Sequence, residues 1–403
     1  MNDRIANMDA IRGFALFGIL VVNILAFSSV WYGSGFPAPG NRSVLDEVLA
    51  FLVSALFELK FYLLFSFLFG YSVTLQMQSA EKAGATFLPR MMRRQAGLFL
   101  IGILHAVFLF HGDILSTYAI LGFTLLALRH LRGQTKLRLA LLLVLATALF
   151  WLVLAWLQGA AVPPPFDPAA LNADAAASIA AWRGGPLTVV GEHLAALEDF
   201  LPLLLLLQAP CAFAMFLVGF VAGRKRLFLH RDVYGPLLNQ SLAWGLLIGL
   251  PGGLIYATAA QYAPGTAVET AGIALSILTS PFLSLAILAG LLKLLDSGRV
   301  ERLRDCFASL GRMALSNYLL QSLTCAFIFH GYGLGLVDRL AISQVLGLGV
   351  LVFIMQMLLS CWWMNRFHYG PLEWLLRAAT VWHYPGWRKK VTKQGEPARD
   401  NRR

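Results

Sequence analysis

Long apolar runs recur along the whole chain and set its architecture. About ten of them are long enough to cross a hydrocarbon core of roughly 30 Å. In lipid such runs must be helices, because a helix satisfies its own backbone hydrogen bonds. The pattern therefore predicts an all-α, polytopic membrane helix bundle with about ten transmembrane helices. The predicted spans are residues 10–28, 55–78, 94–110, 114–129, 138–158, 200–222, 236–258, 270–295, 310–329 and 341–364.

The composition agrees with a membrane location. Of the 403 residues, 58% are hydrophobic and 13% are charged, and the mean hydropathy of +0.68 lies outside the range of soluble domains. We expect one continuous bundle over residues 1–364, interrupted by an extracytoplasmic insertion at 159–199. Residues 365–403 are predicted to be a cytoplasmic amphipathic helix and a basic tail.

The basic residues indicate an orientation. If the N-terminus is cytoplasmic, 27 of the 32 Lys and Arg residues fall on the inside, and Arg42, Arg183 and Arg339 fall outside. The other two, Arg12 and Lys60, lie within spans. The positive-inside rule then predicts that both termini are cytoplasmic. This bias accounts for the net charge of +11, so no nucleic-acid partner is predicted.

The insertion is predicted to cover the outer face as a lid. Pro163, Pro164 and Pro165 break the preceding helix, and Asp167 followed by Pro168 indicates the start of an alanine-rich helix. Further along, Glu192 and His193 lack the spacing of metal ligands. The sequence therefore predicts no metal site.

The stretch from Gly102 to Tyr118 carries the most specific chemistry. His105 lies eleven residues beyond Arg94, which places it about 16 Å deeper along a helix. A neutral imidazole at this depth can accept and return a proton, although a satisfied core histidine is the alternative. Asp113 follows in a tight turn, where it either orients a base or a substrate hydroxyl, or caps the next helix. We interpret His111 as an exposed turn residue.

The first and second helices carry further polar positions. Arg12 and Asn23 share a face of the first helix. Arg12 either belongs to a site or extends to the headgroups and pairs with Asp9. Lys60 either anchors the second helix at the outer interface or faces the His105 helix.

Two amides lie together on the ninth predicted helix. Asn317 and Gln321 are separated by four residues and share one face. Buried amides need partners in hydrocarbon, so this pair either joins neighbouring helices or lines a cavity.

Several blocks resemble the YeiB-type multi-pass membrane proteins of bacteria, which carry the domain of unknown function numbered 418. The matching blocks span nearly the whole chain: RIANMDAIRGFALFGILVVN at 4–23, KFYLLFSFLFG at 60–70, GILHAVFLFHGDIL at 102–115, GRMALSNYLLQS at 311–322, FHGYGLGL at 329–336 and GPLEWLLRAAT at 370–380. The resemblance implies a bacterial inner membrane location.

The N-terminal block also resembles the wider transmembrane acyltransferase superfamily. Its D-x-x-R-G-x-A motif is carried here by Asp9, Arg12, Gly13 and Ala15. Enzymes of that superfamily move an acyl group from cytoplasmic acyl-CoA to a sugar across the membrane. The integral-membrane O-acyltransferases end the motif with a histidine, whereas this sequence has Asn23. That difference leaves His105 as the histidine for base chemistry.

The resemblance therefore implies an acyl-CoA-dependent acyltransferase that modifies a sugar, lipid or other envelope acceptor. Arg12, with Arg93 and Arg94, would attract the CoA phosphates. His105 would act as general base and Asn23 would donate to the developing oxyanion. Acyl-CoA is a donor substrate in this scheme, and no bound cofactor is predicted.

Asp9, Lys60, Asn317 and Gln321 are predicted to bind substrate. Asp113 is predicted to be a catalytic residue beside the base, His105. A transporter or flippase that passes a small amphiphile along the same polar residues is the alternative function. The oligomeric state stays open, with a homo-oligomer among the alternatives.

Overall fold

Nearly all of the described chain is helical. The computed structural model describes residues 2–36, 39–40, 42–162, 167–229 and 231–389. Within them the only β-type contact is an isolated bridge between Phe367 and Arg388, so the all-α prediction is confirmed. The helices are α1 (Asn2–Ser28), α2 (Val44–Leu56), α3 (Lys60–Lys82), α4 (Phe87–Phe108), α5 (Leu115–Ala127), α6 (Gly133–Ala160), α7 (Pro168–Trp182), α8 (Pro186–Leu203), α9 (Ala209–Arg224), α10 (Arg231–Trp244), α11 (Leu250–Tyr262), α12 (Ala267–Asp296), α13 (Glu301–Arg312), α14 (Ala314–Phe329), α15 (Ile342–Arg366) and α16 (Pro371–Val381).

Among the described residues, seven helical segments are long and apolar enough to cross a membrane. They are Ala6–Ser28, Val44–Lys82, Gly133–Ala160, Pro186–Arg224, Tyr234–Tyr262, Ala267–Asp296 and Ile342–Arg366. Helix length and composition in the described residues therefore support seven of the roughly ten predicted spans.

The three predicted spans outside this set are 94–110, 114–129 and 310–329, which correspond to α4, α5 and α14. The first half of α4 carries three arginines. Helix α5 has 13 residues and α14 has 16, which makes them about 20 Å and 24 Å long, less than the roughly 30 Å of a hydrocarbon core. These same three helices carry His105, Asp113 with its turn, and the amide pair.

Helix α6 shows that the bundle presents apolar side chains to its surroundings. Leu142 and Leu149 are each 61% exposed, and Trp156 is 70% exposed. Apolar surface on this scale is costly in water and favourable against lipid tails. The exposed face of α6 therefore indicates a lipid bilayer around the protein.

Glycines allow two helix pairs to pack backbone to backbone. A Cβ atom on Gly70 of α3 would overlap the carbonyl oxygen of Phe216 on α9, and one on Gly219 would overlap that of Phe67. Helices α1 and α13 meet in the same way at Gly13 and Gly311. Small residues at such contacts let membrane helices approach closely.

The helix ends form two faces of the bundle. At one face, which we call the N-terminal face, Asp9 of α1 lies against α13, and Arg93 of α4 donates to the carbonyl of Thr380 on α16. At the other, which we call the opposite face, the backbone carbonyl of Ser28 accepts from Asp338. The α4–α5 turn and the end of α14 also lie at the opposite face.

The insertion forms two helices at the opposite face. Asp167 accepts hydrogen bonds from the backbone of Ala169 and Ala170, which confirms the predicted helix start at Pro168. Helix α8 continues into α9 as the single apolar segment Pro186–Arg224. This segment begins 14 residues before the predicted span 200–222. The three prolines of the predicted helix break lie outside the described residues.

The C-terminal amphipathic helix is present as α16 and is tied to the bundle. Glu373 accepts from the backbone N–H groups of Leu315 and Ser316, at 2.7 and 3.1 Å, and from the Ser316 hydroxyl. A carboxylate at a helix N-terminus satisfies donors that the helix itself leaves unpaired. The basic tail from residue 390 onward lies outside the described residues.

Candidate active site

His105 lies in the last turn of α4 and is fully buried. The residue is 1% exposed, and both nitrogens of its ring have partners. Nδ1 lies 2.8 Å from Oδ1 of Asp113, and Nε2 lies 2.8 Å from Oγ of Ser322 on α14. The imidazole is therefore held at both ends in one orientation.

Asp113 makes the contacts that both interpretations of the sequence require, with His105 and with the start of α5. Its Oδ1 accepts from the backbone N–H of Leu115 at 3.1 Å, and its Oδ2 accepts from the N–H and hydroxyl of Ser116 at 2.8 and 2.6 Å. Asp113 thus caps α5 while it also contacts His105. Three donors besides the imidazole fix the carboxylate, because the α4–α5 turn places it at the N-terminus of α5.

Ser322 is the residue that the sequence analysis missed. It is 2% exposed and lies 217 positions from His105 in the chain. Ser322 is the last residue of the matching block GRMALSNYLLQS and directly follows Gln321. A single serine in an apolar helix produces no periodic pattern that would single it out. A buried histidine that needs a second partner was the one available hint.

The three side chains form a serine–histidine–aspartate array. A carboxylate on Nδ1 fixes the proton there, which leaves the lone pair of Nε2 free to accept from the Ser322 hydroxyl. This is the order of roles in which a serine is activated for acyl transfer on unrelated folds.

Tyr318 lies beside the array, one helical turn before Ser322. Its ring centre is 5.0 Å from that of His105. The residue is 4% exposed, and its hydroxyl proton has no acceptor within the described residues, although the backbone N–H of Ile114 lies near its oxygen. A buried hydroxyl that retains its proton is free to donate to a ligand oxygen.

The amide pair divides between two situations. The Asn317 amide donates to the Leu310 carbonyl at 3.1 Å and to the Ser360 hydroxyl at 2.9 Å, and its backbone carbonyl accepts from Gln356. Asn317 therefore joins α14 to α13 and α15. Gln321 is 3% exposed, yet its Nε2 has no partner in the described part of the chain.

Asn23 and Lys60 are not brought to the array. Asn23 is half-buried, and its side chain makes no hydrogen bond with the described residues. One turn later on the same helix, Phe27 stacks on Phe110 with ring centres 4.5 Å apart. The Lys60 ammonium donates to the Ser54 carbonyl at 2.9 Å and lies over the Tyr256 ring. These contacts on α2 and α11 are separate from the partners of His105.

The motif residues of α1 lie at the N-terminal face. Arg12 donates to Asp9 at 2.8 Å and to Ser72 of α3 at 2.5 Å. The pair with Asp9 is the local alternative that the sequence offered, while the bond to Ser72 joins α1 to α3. The motif glycine, Gly13, has a steric role at the α1–α13 contact.

The two arginines of α4 differ in their surroundings. Arg93 donates to the Thr380 carbonyl at 3.2 Å and lies over the Trp382 ring, so it holds α16 in place. The Nε atom of Arg94 is buried without a partner in the described residues. Arg94 lies close enough to Arg12, Glu373 and Arg377 to interact with their charges. An unpaired guanidinium nitrogen among other cations favours an anion.

A polar cavity of about 200 Å³ opens at the opposite face beyond Phe27 and Phe110. His111, His193 and His330 line it together with Trp182 and Glu192. His111 is half-buried rather than the exposed turn residue that we predicted. In the described chain no three such side chains are arranged to hold a metal ion.

His193 is the least satisfied of the three histidines. It is 1% exposed, and neither ring nitrogen has a partner within the described residues. Phe110 lies between this cavity and the array, with its ring centre 6.3 Å from that of His105. The cavity is therefore separated from the array by an aromatic layer.

Acid should destabilise the folded protein through the histidines that line this cavity. Burial lowers the pKa of His330 to about 4, and the nearby His111 adds to the shift; burial also lowers the pKa of His111 to about 4. The unfolded chain binds protons at these sites below about pH 6.5, so stability is complete above that pH and falls between pH 6.5 and 4. We expect the melting temperature in detergent to be lower at pH 5 than at pH 7.5 by at least about 2 °C.

Replacing His330 tests this pH dependence. His330→Gln should reduce the difference in melting temperature, while the exposed His383 serves as a matched control through His383→Gln. Equal pH dependence in the two variants would show that other groups dominate.

The fold and the array together define a multi-pass helical membrane protein with a buried serine–histidine–aspartate site. The family described as "Protein of unknown function (DUF418)" matches residues 222–383. YxaH of Bacillus subtilis (strain 168), described as uncharacterized, is 30% identical over 402 residues, with 94% of each chain covered. YeiB of Escherichia coli (strain K12), also described as uncharacterized, is 28% identical over 407 residues, covering 94% of this chain and 97% of that protein. This chain belongs to the YeiB-type DUF418 family.

Proposed function

We propose that this protein is a membrane acyltransferase that moves an acyl group, such as acetyl, from acyl-CoA to a sugar, lipid or other envelope acceptor. The observation that carries the proposal is the buried imidazole of His105, held by Asp113 at Nδ1 and facing a hydroxyl at Nε2. An imidazole held in this tautomer is suited to take a proton from an attacking hydroxyl and return it to a leaving group.

The proposal includes an orientation in the bacterial inner membrane with both termini cytoplasmic. The excess of Lys and Arg in the segments assigned to the inside supports it. In this arrangement α4, α5 and α14 also cross the membrane and bring the count to about ten, with protein rather than lipid around their polar residues. The N-terminal face is then cytoplasmic and the opposite face is extracytoplasmic.

Donor and acceptor would approach His105 from different faces. Arg12 and Arg94 at the N-terminal face would bind the CoA phosphates, since guanidinium groups suit phosphate oxygens. The unpaired Nε of Arg94 supports this role, and Asp9 positions Arg12. The polar cavity at the opposite face would receive the acceptor, which would reach His105 past the ring of Phe110. The unpartnered His193 supports that assignment.

The test is cleavage of acetyl-CoA by protein reconstituted in nanodiscs. We expect CoA thiol release, stimulated by a bacterial envelope extract that supplies acceptors. His105→Gln keeps a polar side chain but removes the base, so turnover should fall by about 10²- to 10⁴-fold. His130→Gln alters an exposed histidine and should leave turnover unchanged.

Binding of the donor provides a second readout. Acetyl-CoA should raise the melting temperature more than desulfo- or dephospho- analogues do, because the phosphates contribute to affinity. No response at millimolar acetyl-CoA, together with no thiol release, would contradict acyl transfer and favour a transporter or flippase.

A further inference from the structure

Ser322 has a different hydrogen-bond partner from many hydroxyl side chains in the helices of this protein. Ser66, Ser72 and Thr324 each donate to the carbonyl four residues earlier in their own helix, which is the usual arrangement for such residues. Within the described residues, the one hydrogen bond of the Ser322 hydroxyl runs to Nε2 of His105 at 2.8 Å. The hydroxyl is therefore directed at a base.

We infer that Ser322 is the nucleophile of a two-step transfer and carries the acyl group as a serine ester between donor and acceptor. This inference rests on the proposed acyltransferase function and deepens it. Acyl transfer by itself is compatible with a single step, in which His105 activates the acceptor directly, and the inference selects the two-step route. The distance between nucleophile and base, and the third group that orients the base, satisfy the geometric requirements for an activated serine.

The first half-reaction forms the ester. Oγ of Ser322 attacks the thioester carbonyl carbon while its proton passes to Nε2 of His105, and the carbonyl π electrons move to oxygen. The tetrahedral intermediate then collapses, the carbon–sulfur bond breaks, and the proton on Nε2 passes to the departing sulfur of CoA. Asp113 stabilises the imidazolium that exists between these two proton transfers.

The second half-reaction reverses the roles. The acceptor hydroxyl or amine gives its proton to Nε2 and attacks the ester carbonyl carbon. The bond from that carbon to Oγ breaks, and Oγ takes the proton back from Nε2. No oxidant or reductant is involved, and the enzyme returns to its starting state.

Tyr318 supplies a donor for the negative charge on the tetrahedral intermediate. It lies one turn before Ser322 on the same face of α14, and its hydroxyl proton has no acceptor within the described residues. A preorganised donor in a buried site stabilises an oxyanion strongly, because little solvent or protein reorganisation is needed during the reaction. Tyr318→Phe should slow acylation by about 10²-fold or more.

A covalent label separates a nucleophile from a serine that only holds His105. Nanodisc-embedded protein is treated with an alkyl fluorophosphonate, and separately with acetyl-CoA, and the modified peptide is identified by mass spectrometry. Ser322 should carry the adduct in both cases. The adduct should disappear in Ser322→Ala and in His105→Gln. It should persist in Ser276→Ala, which removes a buried hydroxyl of α12 that is bonded to Ser280.

Ser322→Cys adds a positive control for chemistry at this position. The thiol should accept acetyl as a thioester that hydroxylamine cleaves, whereas a purely structural serine would give no adduct in either form. Absence of an adduct from both reagents in the wild-type protein would overturn the inference.

The outcomes also separate this inference from the proposed function. If His105→Gln abolishes acetyl-CoA turnover but Ser322→Ala keeps it, transfer is direct, the function stands and the nucleophile assignment falls. If the wild-type protein does not cleave acetyl-CoA but the fluorophosphonate labels Ser322 in a His105-dependent way, the serine is activated for another acyl donor. In that case acetyl-CoA is rejected as the donor, and Ser322 keeps its assignment as the nucleophile.

Discussion

Asp113→Asn is expected to lower acetyl-CoA turnover by about 10⁴-fold, as the equivalent exchange does where an aspartate fixes a catalytic imidazole. The carboxylate accepts from Nδ1 of His105 and from three donors at the start of α5. An amide has one accepting atom in place of two. If its NH₂ group faces His105, the imidazole must carry its proton on Nε2 and can no longer accept from Ser322.

The alternative placement of the amide is also unfavourable. With NH₂ turned toward Ser116, two donors face each other and the backbone N–H of Ser116 loses its acceptor. An unsatisfied buried donor costs about 1–3 kcal/mol. Each placement leaves one backbone N–H of α5 without an acceptor, Leu115 in the first and Ser116 in the second, so the placement that harms the base remains populated. Thiol release in nanodiscs measures the rate, and a melting curve reports whether the variant is folded.

Ser116→Ala is the matched control for Asp113. It removes one of the donors to Asp113 Oδ2 and leaves the carboxylate and its contact with His105 in place. We expect the rate to change by about tenfold at most, in line with loss of a single hydrogen bond. If the rates of Asp113→Asn and Ser116→Ala are similar, Asp113 acts as a helix cap and has no part in the chemistry.

Gly311→Ala is expected to produce one of the largest losses of stability among single methyl additions. A Cβ at Gly311 would overlap the backbone carbonyl oxygen of Asp9, and the amide nitrogen of Gly13 lies on the same side. Neither neighbour is a flexible side chain, so α1 and α13 must move apart. Overpacking typically costs about 1–3 kcal/mol and occasionally more, and we expect a value at or above the upper end.

Gly347→Ala provides the control for this stability measurement. Gly347 lies inside α15, and a Cβ there would have no neighbour within 4 Å. The change should be neutral or stabilising by up to about 1 kcal/mol, because alanine favours helix more than glycine does. The midpoint of detergent-induced unfolding measures both variants. Equal midpoints would show that the α1–α13 contact adapts without cost.

Displacement of α1 should also affect the N-terminal face. Arg12 lies one residue before Gly13 and bonds to Asp9 and Ser72. Separation of α1 from α13 would change the position of Arg12 relative to Ser72, so the thermal shift with acetyl-CoA should weaken in Gly311→Ala. The α1–α13 contact, which is formed at Gly13 and Gly311, therefore also sets the position of Arg12.

The local part of the site could be predicted from the sequence. His105 and Asp113 are eight positions apart, and a helix end followed by a tight turn brings such residues together whatever the rest of the fold does. Asp167 was predictable for the same reason, because a helix cap depends only on the next three residues. The apolar runs likewise gave the all-α class and the membrane location.

The number of spans was a different kind of inference, because helix length and composition in the described residues support seven of the ten predicted spans. Helices α5 and α14 are apolar but short, and α4 carries three arginines at its start. Hydropathy alone treats such elements like full spans, since it counts apolar residues over a window that extends past the helix ends.

Tertiary packing decided which distant residues meet. Ser322 reaches His105 across 217 positions, Arg12 reaches Ser72, and His111, His193 and His330 gather around one cavity. Hydrophobic periodicity fixes which face of a helix is buried, but it does not fix which helix covers that face or at what height. The chain by itself therefore determined a membrane helix bundle and the His105–Asp113 pair. The serine that completes the array depends on how α4 and α14 pack, which is set by glycine contacts and side-chain shapes across the whole bundle.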